Sequence, residues 1–129
     1  MKYHGADLSS SCLLKLPNFS DARGNLTVIE NELPFTIART FWISGADGKT
    51  RGGHRHHRTR QALVALAGEV SVFLDDGKRQ TTVCLDHPSL CLVVEPEDWH
   101  TMAFEQGAVL LVFASLPYDP ADYITEPYV

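Results

Sequence analysis

The sequence predicts an all-β protein, built as one domain in the form of a sandwich or a barrel. Short apolar runs recur along the chain, separated by Gly, Pro, Asn and Asp, at intervals that suit strands. No segment sustains the i, i+3, i+4, i+7 apolar spacing of a substantial helix. The length of 129 residues, 44% of them apolar, fits a single compact core.

The apolar runs and the turns between them define the expected elements. Asp75-Asp76-Gly77 predicts a hairpin turn, because glycine tolerates the positive φ that such turns demand. A short turn of helix is expected near Asp119–Tyr123, and residues 124–129 give no prediction. The predicted strands, in order, are Leu13–Leu16, Gly24–Glu30, Ile37–Ile43, Gln61–Ala67, Glu69–Leu74, Arg79–Leu85, Ser89–Val94, His100–Phe104 and Ala108–Ala114. Evenly spaced short strands of this kind fit a sandwich or a barrel.

Composition and charge exclude several classes of partner. No apolar run approaches about 18 residues, and the first residues lack the apolar segment of a secretory signal, so we expect a soluble, cytoplasmic protein without membrane contact. The formal net charge of −5 disfavours binding to nucleic acid. The three cysteines, Cys12, Cys84 and Cys91, are odd in number and form no CxxC pair, which argues against disulfides. Cys84 and Cys91 are expected to be buried thiols.

One segment departs from this acidic balance. Between Lys49 and Arg60 the chain carries five cationic side chains and three histidines, with no acid. Such a cluster in an acidic protein suggests an anionic small molecule as ligand. On charge alone, a solvated loop face remains an equal alternative.

The histidines of this segment indicate a site. If His54 and His56 lie in a strand, their side chains share one face, because side chains alternate along a strand. His100 is a candidate third member from a neighbouring strand. The chain has a glycine followed by His-x-His, then a Gly turn, and then a Pro-containing turn that ends in a late histidine. This order of features resembles the cupin pattern. The resemblance implies a double-stranded β-helix, or jelly-roll, barrel.

The acid of the metal-binding cupin pattern is missing. Arg60 stands at the position four after His56, where that pattern has a glutamate ligand, and a guanidinium cannot ligate a cation. No metal and no other cofactor is therefore predicted, and the histidines are assigned to acid–base or binding chemistry. A weak zinc or iron site and exposed loop histidines are the alternatives. The flanking Arg51, Arg55 and Arg60 are expected to lower the histidine pKa values, if they reach the site.

Several further motifs are shared with a family of sugar-nucleotide cupins. These are residues 21–26 (DARGNL), 33–39 (LPFTIAR), 51–56 (RGGHRH), 61–64 (QALV), 74–77 (LDDG), 99–100 (WH) and the tail from Ala114 to Ile124. Together they resemble the nucleoside-diphosphate-sugar 3,4-ketoisomerases, the WxcM-like or FdtA-type proteins that act on dTDP-4-keto-6-deoxyglucose. The resemblance covers nearly the whole chain. It implies a metal-free homodimer whose N-terminal strands are exchanged between jelly-roll subunits.

The resemblance also implies residue roles. His54 matches the catalytic base and His56 a candidate acid or proton shuttle. Arg23 and Arg39 match pyrophosphate and sugar contacts, and Arg51 is placed for a further anion contact. The other expected substrate contacts are Phe41, Trp42, Gln61, Trp99 and His100; for the two tryptophans, stacking on thymine competes with packing at the core or barrel rim.

Three positions depart from the family pattern. Phe41 and Trp42 stand where family members usually carry two tyrosines, which removes a phenol that could donate a proton, and Arg60 stands where they tend to carry an acid. The predicted function is 3,4-ketoisomerisation of a dTDP-linked keto sugar through an enediol. A related keto-sugar epimerase, a non-catalytic sugar-nucleotide-binding protein and a metal-dependent cupin enzyme are the alternatives.

Overall fold

The chain folds into two antiparallel sheets that pack face to face. The computed structural model describes residues 12–129. Its strands are β1 Cys12–Lys15, β2 Asn18–Asp21, β3 Gly24–Thr27, β4 Arg39–Ile43, β5 Thr50–His56, β6 Gln61–Ala67, β7 Val70–Asp75, β8 Gln80–Leu85, β9 Leu90–Val94, β10 Trp99–Phe104, β11 Val109–Ala114 and β12 Tyr123–Ile124. A 3₁₀ turn at Pro120–Asp122 precedes β12, and this confirms the short helical turn predicted there.

The strand order is that of a jelly roll. The first sheet runs β1-β9-β6-β11-β4 and the second runs β12-β5-β10-β7-β8, while β2 and β3 pair separately as a hairpin. Every strand pairing among residues 12–129 is antiparallel. The all-β jelly-roll prediction is therefore confirmed.

The core lies between the two sheets. Leu63, Leu92 and Leu110 of the first sheet form one buried cluster with Val72 and Leu74 of the second. The outer face of the first sheet is covered as well, since Val64 and Cys91 pack with Leu33 and Phe35 from the segment before β4. Because β6 and β9 are covered on both faces, their sequences are continuous apolar runs rather than alternating ones.

Three strands were absent from the prediction. These are β2, β5 and β12; the first two contain few apolar side chains, and β12 is only two residues long. The predicted strands from Gly24 and Ile37 are shorter than expected, since β3 ends at Thr27 and β4 begins at Arg39. The other predicted strands lie within a residue or two of the observed bounds, and the turn at Asp75-Asp76-Gly77 joins β7 to β8, with Gly77 at φ +92°.

The two glycines of β5 set the position of the histidines. Gly52 and Gly53 have φ values of +92° and +83°, and the register with β10 shifts between His100 and Thr101 at this point. A Cβ atom on Gly52 would lie 2.8 Å from the His100 carbonyl oxygen, so the close approach of β5 to β10 requires glycine here. After this irregularity His54 lies directly opposite His100.

Two other expectations concern the termini and the cysteines. The first predicted strand corresponds to β1, which is an edge strand paired with β9, and residues 1–11, which precede it, lie outside the described residues. Cys84 and Cys91 are buried free thiols, as predicted, whereas Cys12 is exposed. Over residues 12–129, no helix has both the length and the apolar character needed to cross a membrane.

Candidate functional site

A cavity of about 340 Å³ opens between the two sheets. The first sheet contributes β4, β6 and β11 to its wall, and the second sheet contributes β5, β10 and β12. Its size is within the range of about 300–1,000 Å³ that small-molecule pockets occupy. The lining residues are Arg39, Phe41, Trp42, Ile43, Arg51, Gly52, His54, Gln61, Leu63, His100, Met102, Val112 and Tyr123.

Three histidines and one tyrosine meet in the second sheet. The His54 ring lies 5.0 Å from the His56 ring, 5.0 Å from the His100 ring and 4.6 Å from the Tyr123 ring, between centroids. The cause is strand register, because β12, β5 and β10 are neighbours, Tyr123 is opposite His56, and His54 is opposite His100. His54, His100 and Tyr123 line the cavity, whereas His56 does not and is only 4% exposed.

The histidines are held in the neutral form. Burial, and after it the neighbouring His100, lowers the pKa of His54 to about 4, against the opposing effect of a hydrogen bond with the Gly52 backbone. Burial first, and then His54 and His100, lowers the pKa of His56 to about 4 as well. Burial also lowers the pKa of His100. An imidazole that is neutral at pH 7 can accept a proton from a substrate.

The sequence predicted the direction of these pKa shifts but not their cause. Arg55 packs on the Tyr128 ring, with the guanidinium carbon 4.2 Å from the ring centroid, and Arg60 is held by Glu95. Burial, rather than these arginines, is the main cause of the shifts. Arg39, which was not predicted for this role, adds the weakest contribution to the pKa of His56.

A hydrogen bond fixes the ring of His100, whereas one nitrogen of His56 lacks a partner. His100 Nδ1 lies 3.0 Å from the Asp98 carbonyl oxygen, so Nδ1 donates and Nε2 carries the free lone pair. The Nε2 atom of His56 is buried without a hydrogen-bond partner among residues 12–129. A buried polar atom without a hydrogen-bond partner costs free energy, so this ring nitrogen requires an explanation.

The cavity is cationic although the chain is acidic. Arg39 and Arg51 line it, and the described residues of its wall include no Asp or Glu. Arg39 is oriented by Phe41, since its guanidinium carbon lies 4.5 Å from the ring centroid. Two guanidinium groups at a cavity mouth favour a ligand with phosphate or carboxylate oxygens.

Arg60 has a structural role away from this cavity. Its Nε and Nη2 atoms each donate to a Glu95 carboxylate oxygen at 2.8 Å, and Nη1 donates to the Pro34 carbonyl at 2.8 Å. This bidentate pair joins the start of β6 to the end of β9 and to the segment before β4. Arg60, which was expected to act on the histidines, therefore lies away from the cavity, and its charge is neutralised by Glu95.

The structure brings together most of the predicted site residues. His54, Arg39, Arg51, Phe41, Trp42, Gln61 and His100 line one cavity, and His56 lies directly behind it. Arg23 and Trp99 are not in its wall. Arg23 lies in the exposed β2–β3 turn and pairs with Asp21 at 2.6 Å. The Trp99 ring contacts Phe73, and its Nε1 donates to the Thr125 carbonyl, because residue 99 faces away from the side of β10 that carries His100.

Tyr123 is the site residue that sequence reasoning missed. The tail motif that contains it was recognised, but no role was assigned to it there. Its position depends on β12 pairing with β5, and a two-residue strand has no periodicity that could be read. The structure holds this strand through the adjacent Asp122, a buried carboxylate that accepts from the Arg58 and Thr59 backbone amides and from the Thr59 hydroxyl.

One group of potential metal ligands lies outside the cavity. Within the described part of the chain, the ligating side chains whose donor atoms all lie within 4.8 Å of one another are Glu69, Cys84 and Asp86, where β7 begins and β8 ends. There, burial and Glu69 raise the pKa of the Cys84 thiol to about 11, which keeps it protonated.

Comparisons with known proteins agree on one family. The family model FdtA, described as WxcM-like, C-terminal, matches residues 9–128. The TDP-4-oxo-6-deoxy-alpha-D-glucose-3,4-oxoisomerase of Aneurinibacillus thermoaerophilus is 40% identical over 119 residues, covering 87% of this chain and 86% of that protein.

Comparison with solved structures shows the same similarity at the level of the fold. A mutant of the 3,4-ketoisomerase QdtA from Thermoanaerobacterium thermosaccharolyticum, in complex with TDP-4-keto-6-deoxyglucose, is 36% identical with a TM-score of 0.88, over 92% of this chain and 89% of that one. The TDP-quinovose 3,4-ketoisomerase WlaRB from Campylobacter jejuni is also 36% identical, with a TM-score of 0.87 over 92% and 95%. A 3,5-epimerase from Legionella pneumophila, at 14% identity and a TM-score of 0.79, shares the fold.

Proposed function

The chain belongs to the FdtA (WxcM-like, C-terminal) family, and from that premise we propose that it acts as a sugar-nucleotide 3,4-ketoisomerase in the cavity between its sheets. The substrate is dTDP-4-keto-6-deoxyglucose and the product is a dTDP-3-keto-6-deoxyhexose. The observation that carries the proposal is His54, a neutral imidazole on the wall of a cavity that also presents Arg39 and Arg51.

The reaction is a pair of proton transfers. Moving the ketone from C4 to C3 requires removal of the proton on C3, an enediol intermediate, and delivery of a proton to C4. His54 takes the first proton, because a neutral ring nitrogen in a cavity is the general base this step needs. No step requires a metal ion. His56, predicted from the sequence as acid or shuttle, lies behind His54 with its ring 5.0 Å away.

Binding is assigned to the groups around the histidines. Arg39 and Arg51 hold the diphosphate, since guanidinium groups match phosphate oxygens in pairs. Trp42 is 67% exposed at the cavity, which leaves a ring face available to the thymine. Gln61 and His100 contact the sugar from β6 and β10. Positioning of this kind lowers the barrier without any proton transfer by the binding groups.

Some finer parts of the proposal rest on the family resemblance. The substrate contacts of Arg23 and Trp99 are predictions. So are a homodimer with exchanged N-terminal strands and a cytoplasmic location. Arg23 lies in the β2–β3 hairpin, so its contact with substrate requires that hairpin to reach the cavity of a second subunit.

The test is proton NMR of dTDP-4-keto-6-deoxyglucose in deuterated buffer that contains a chelator. We expect deuterium at C3 and C4 and the appearance of a 3-keto sugar. His54→Asn should abolish both while dTDP binding is retained, and His57→Asn should change neither, because His57 is exposed and outside the cavity wall. Saturable dTDP binding without exchange would mean a non-catalytic binding protein, and deuterium at C5 would mean an epimerase.

A further inference from the structure

One arginine of the cavity wall is held by aromatic rings rather than by a carboxylate. The guanidinium carbon of Arg39 lies 4.5 Å from the centroid of the Phe41 ring and 5.2 Å from that of the Tyr118 ring. Within the described part of the chain, the Arg39 side chain has no carboxylate or carbonyl partner, whereas Arg60 is paired with Glu95. Arg39 is therefore fixed in a different way from this structural arginine.

The register of the first sheet brings the Tyr118 ring to Arg39. Arg39 pairs with Ala114, the last residue of β11, and the Ala38 amide donates to the Ala114 carbonyl at 2.9 Å. Tyr118 follows shortly afterwards, before the 3₁₀ turn at Pro120–Asp122. Its ring is 61% exposed and does not line the cavity, so core packing does not account for its position.

The two rings hold the cation without occupying its hydrogen-bond donors. An aromatic ring attracts a guanidinium through its π face, which contains no acceptor atom. A carboxylate, in contrast, engages the N–H groups and neutralises the charge. Arg39 therefore keeps both its charge and its N–H groups for a ligand. A side chain that is already held in place also loses less conformational freedom when the ligand binds.

We infer that Tyr118 is a positioning residue for the substrate diphosphate and acts through Arg39. This inference rests on the proposed function, in which Arg39 holds the diphosphate. Phe41 fixes the guanidinium from within β4, and Tyr118 fixes it from the segment after β11. The contact requires the ring and not the hydroxyl, because Phe41 makes the same kind of contact without a hydroxyl.

A second route from Tyr118 to the site runs through Tyr123. The Tyr118 ring lies 5.8 Å from the Tyr123 ring, which lies 4.6 Å from the His54 ring. A role through this route would alter the surroundings of the base and lower kcat. A role through Arg39 would weaken the binding of the diphosphate. The dissociation constant for dTDP and kcat therefore distinguish the two routes.

The first experiment measures the Kd for dTDP by isothermal titration calorimetry. Tyr118→Leu removes the ring, and we expect Kd to rise about fivefold, because a cation–π contact at an exposed site contributes on this scale. Tyr118→Phe keeps the ring and should keep the original Kd. Tyr128→Leu is the matched control, since Tyr128 makes the same kind of contact with Arg55, at 4.2 Å, outside the cavity wall. Its Kd should also be unchanged.

A double-mutant cycle tests whether Tyr118 acts through Arg39. In the Arg39→Gln background, Tyr118→Leu should change Kd by less than about twofold, because the group that Tyr118 positions is already absent. In the unsubstituted background, Tyr118→Leu should raise KM and leave kcat within about twofold, which is the pattern of a lost binding interaction.

Several outcomes would overturn the inference. These are an unchanged Kd in Tyr118→Leu, an equal rise in Tyr128→Leu, and a rise that persists in the Arg39→Gln background. A fall in kcat at constant Kd would also overturn it and would assign Tyr118 to the route through Tyr123. Lack of turnover in the unsubstituted protein would overturn the ketoisomerase proposal, whereas the dTDP measurements decide the role of Tyr118 without turnover. Absence of dTDP binding would overturn both.

Discussion

At the scale of single residues, His54 derives its reactivity from where the strand register places it. The ring is half-buried, faces His100 across the β5–β10 pair, and is neutral at physiological pH. Burial lowers the pKa, and this keeps the base available without help from a carboxylate partner. The protein therefore obtains a general base from packing alone, at the cost of reduced basicity.

The low pKa of His54 predicts an unusual pH profile. The base is active when deprotonated, so kcat/KM should fall only as the pH drops through about 4, the value to which burial lowers the pKa, rather than through the ordinary histidine pKa of 6.5. From about pH 5.5 to 7.5 the rate should be flat, because kcat/KM reports the pKa of the free enzyme. Initial rates across this range, measured in buffers of constant ionic strength, test it. An acid limb centred near the ordinary histidine value would contradict burial as the controlling factor.

At the scale of elements, β12 is held mainly by the carboxylate that precedes it. Asp122 is 4% exposed and accepts from the amides of Arg58 and Thr59 and from the Thr59 hydroxyl. These bonds keep the pKa of Asp122 below its ordinary value, against the opposing effect of burial. The loop between β5 and β6 and the strand that carries Tyr123 are thereby fixed to each other.

Removing this carboxylate should affect both stability and turnover. Asp122→Ala leaves two amides and a hydroxyl without their acceptor, so we expect a loss of about 2 kcal/mol in the free energy of unfolding, measured with urea. Tyr123 lines the cavity and follows Asp122 directly in the chain. We therefore expect the fold decrease in kcat to be larger than the fold increase in KM. Asp119→Ala is the matched control: its exposed carboxylate accepts from the Ala121 amide, so the loss should be smaller and kcat unchanged. Equal effects of the two variants would contradict a specific role for Asp122.

The Arg60–Glu95 ion pair is expected to contribute to stability rather than to catalysis. Both side chains are partly exposed, 33% and 21%, and the contact is bidentate at 2.8 Å. A double-mutant cycle with Arg60→Gln and Glu95→Gln should give a coupling of about 1 kcal/mol, at the upper end for pairs with solvent access. Turnover should stay near that of the unsubstituted protein. A large loss of kcat in Arg60→Gln would place this cation in the site after all.

The strands with an apolar sequence pattern, such as β6 and β9, could be predicted from the sequence. The strands that position the site residues, β5 and β12, were harder to predict. β6 and β9 are covered on both faces, and their apolar runs identified them directly. β5 has two glycines at positive φ, a conformation that weakens any strand pattern, although the spacing of His54 and His56 still indicated a shared face. Tyr123 was missed because two residues have no periodicity and only the pairing with β5 brings its ring to the histidines.

At the scale of the whole molecule, the jelly roll separates stability from function. The closed end between the sheets is filled by leucine and valine side chains, whereas the open end carries arginine, histidine and tyrosine. An anionic ligand is thus drawn to one place on a chain whose formal net charge is −5. The sequence indicated this contrast through the acid-free segment from Lys49 to Arg60, but only folding shows that Arg55 and Arg60 of that segment are directed away.

The β2–β3 hairpin is the expected contact surface between two copies of the chain. It pairs with neither five-stranded sheet, and Phe19 and Leu26, which are opposite each other across it, are 62% and 63% exposed. A two-stranded hairpin alone is marginally stable in water, so an exposed apolar pair on it favours packing against a second copy of the chain, as the exchange of N-terminal strands would provide. Light scattering coupled to size-exclusion chromatography should therefore give the mass of a dimer.

Substitutions on that hairpin decide whether it forms the contact. The combined variant Phe19→Ser and Leu26→Ser should shift the protein toward monomer, because it removes the apolar surface that the second copy would bury. Leu66→Ser is the control, since Leu66 is 47% exposed but lies on β6 rather than on the hairpin. If the dimer persists in the hairpin variant, the subunits associate through another surface. Arg23, which lies in the same hairpin, would then have no route to a second cavity, and Arg23→Gln should leave KM unchanged.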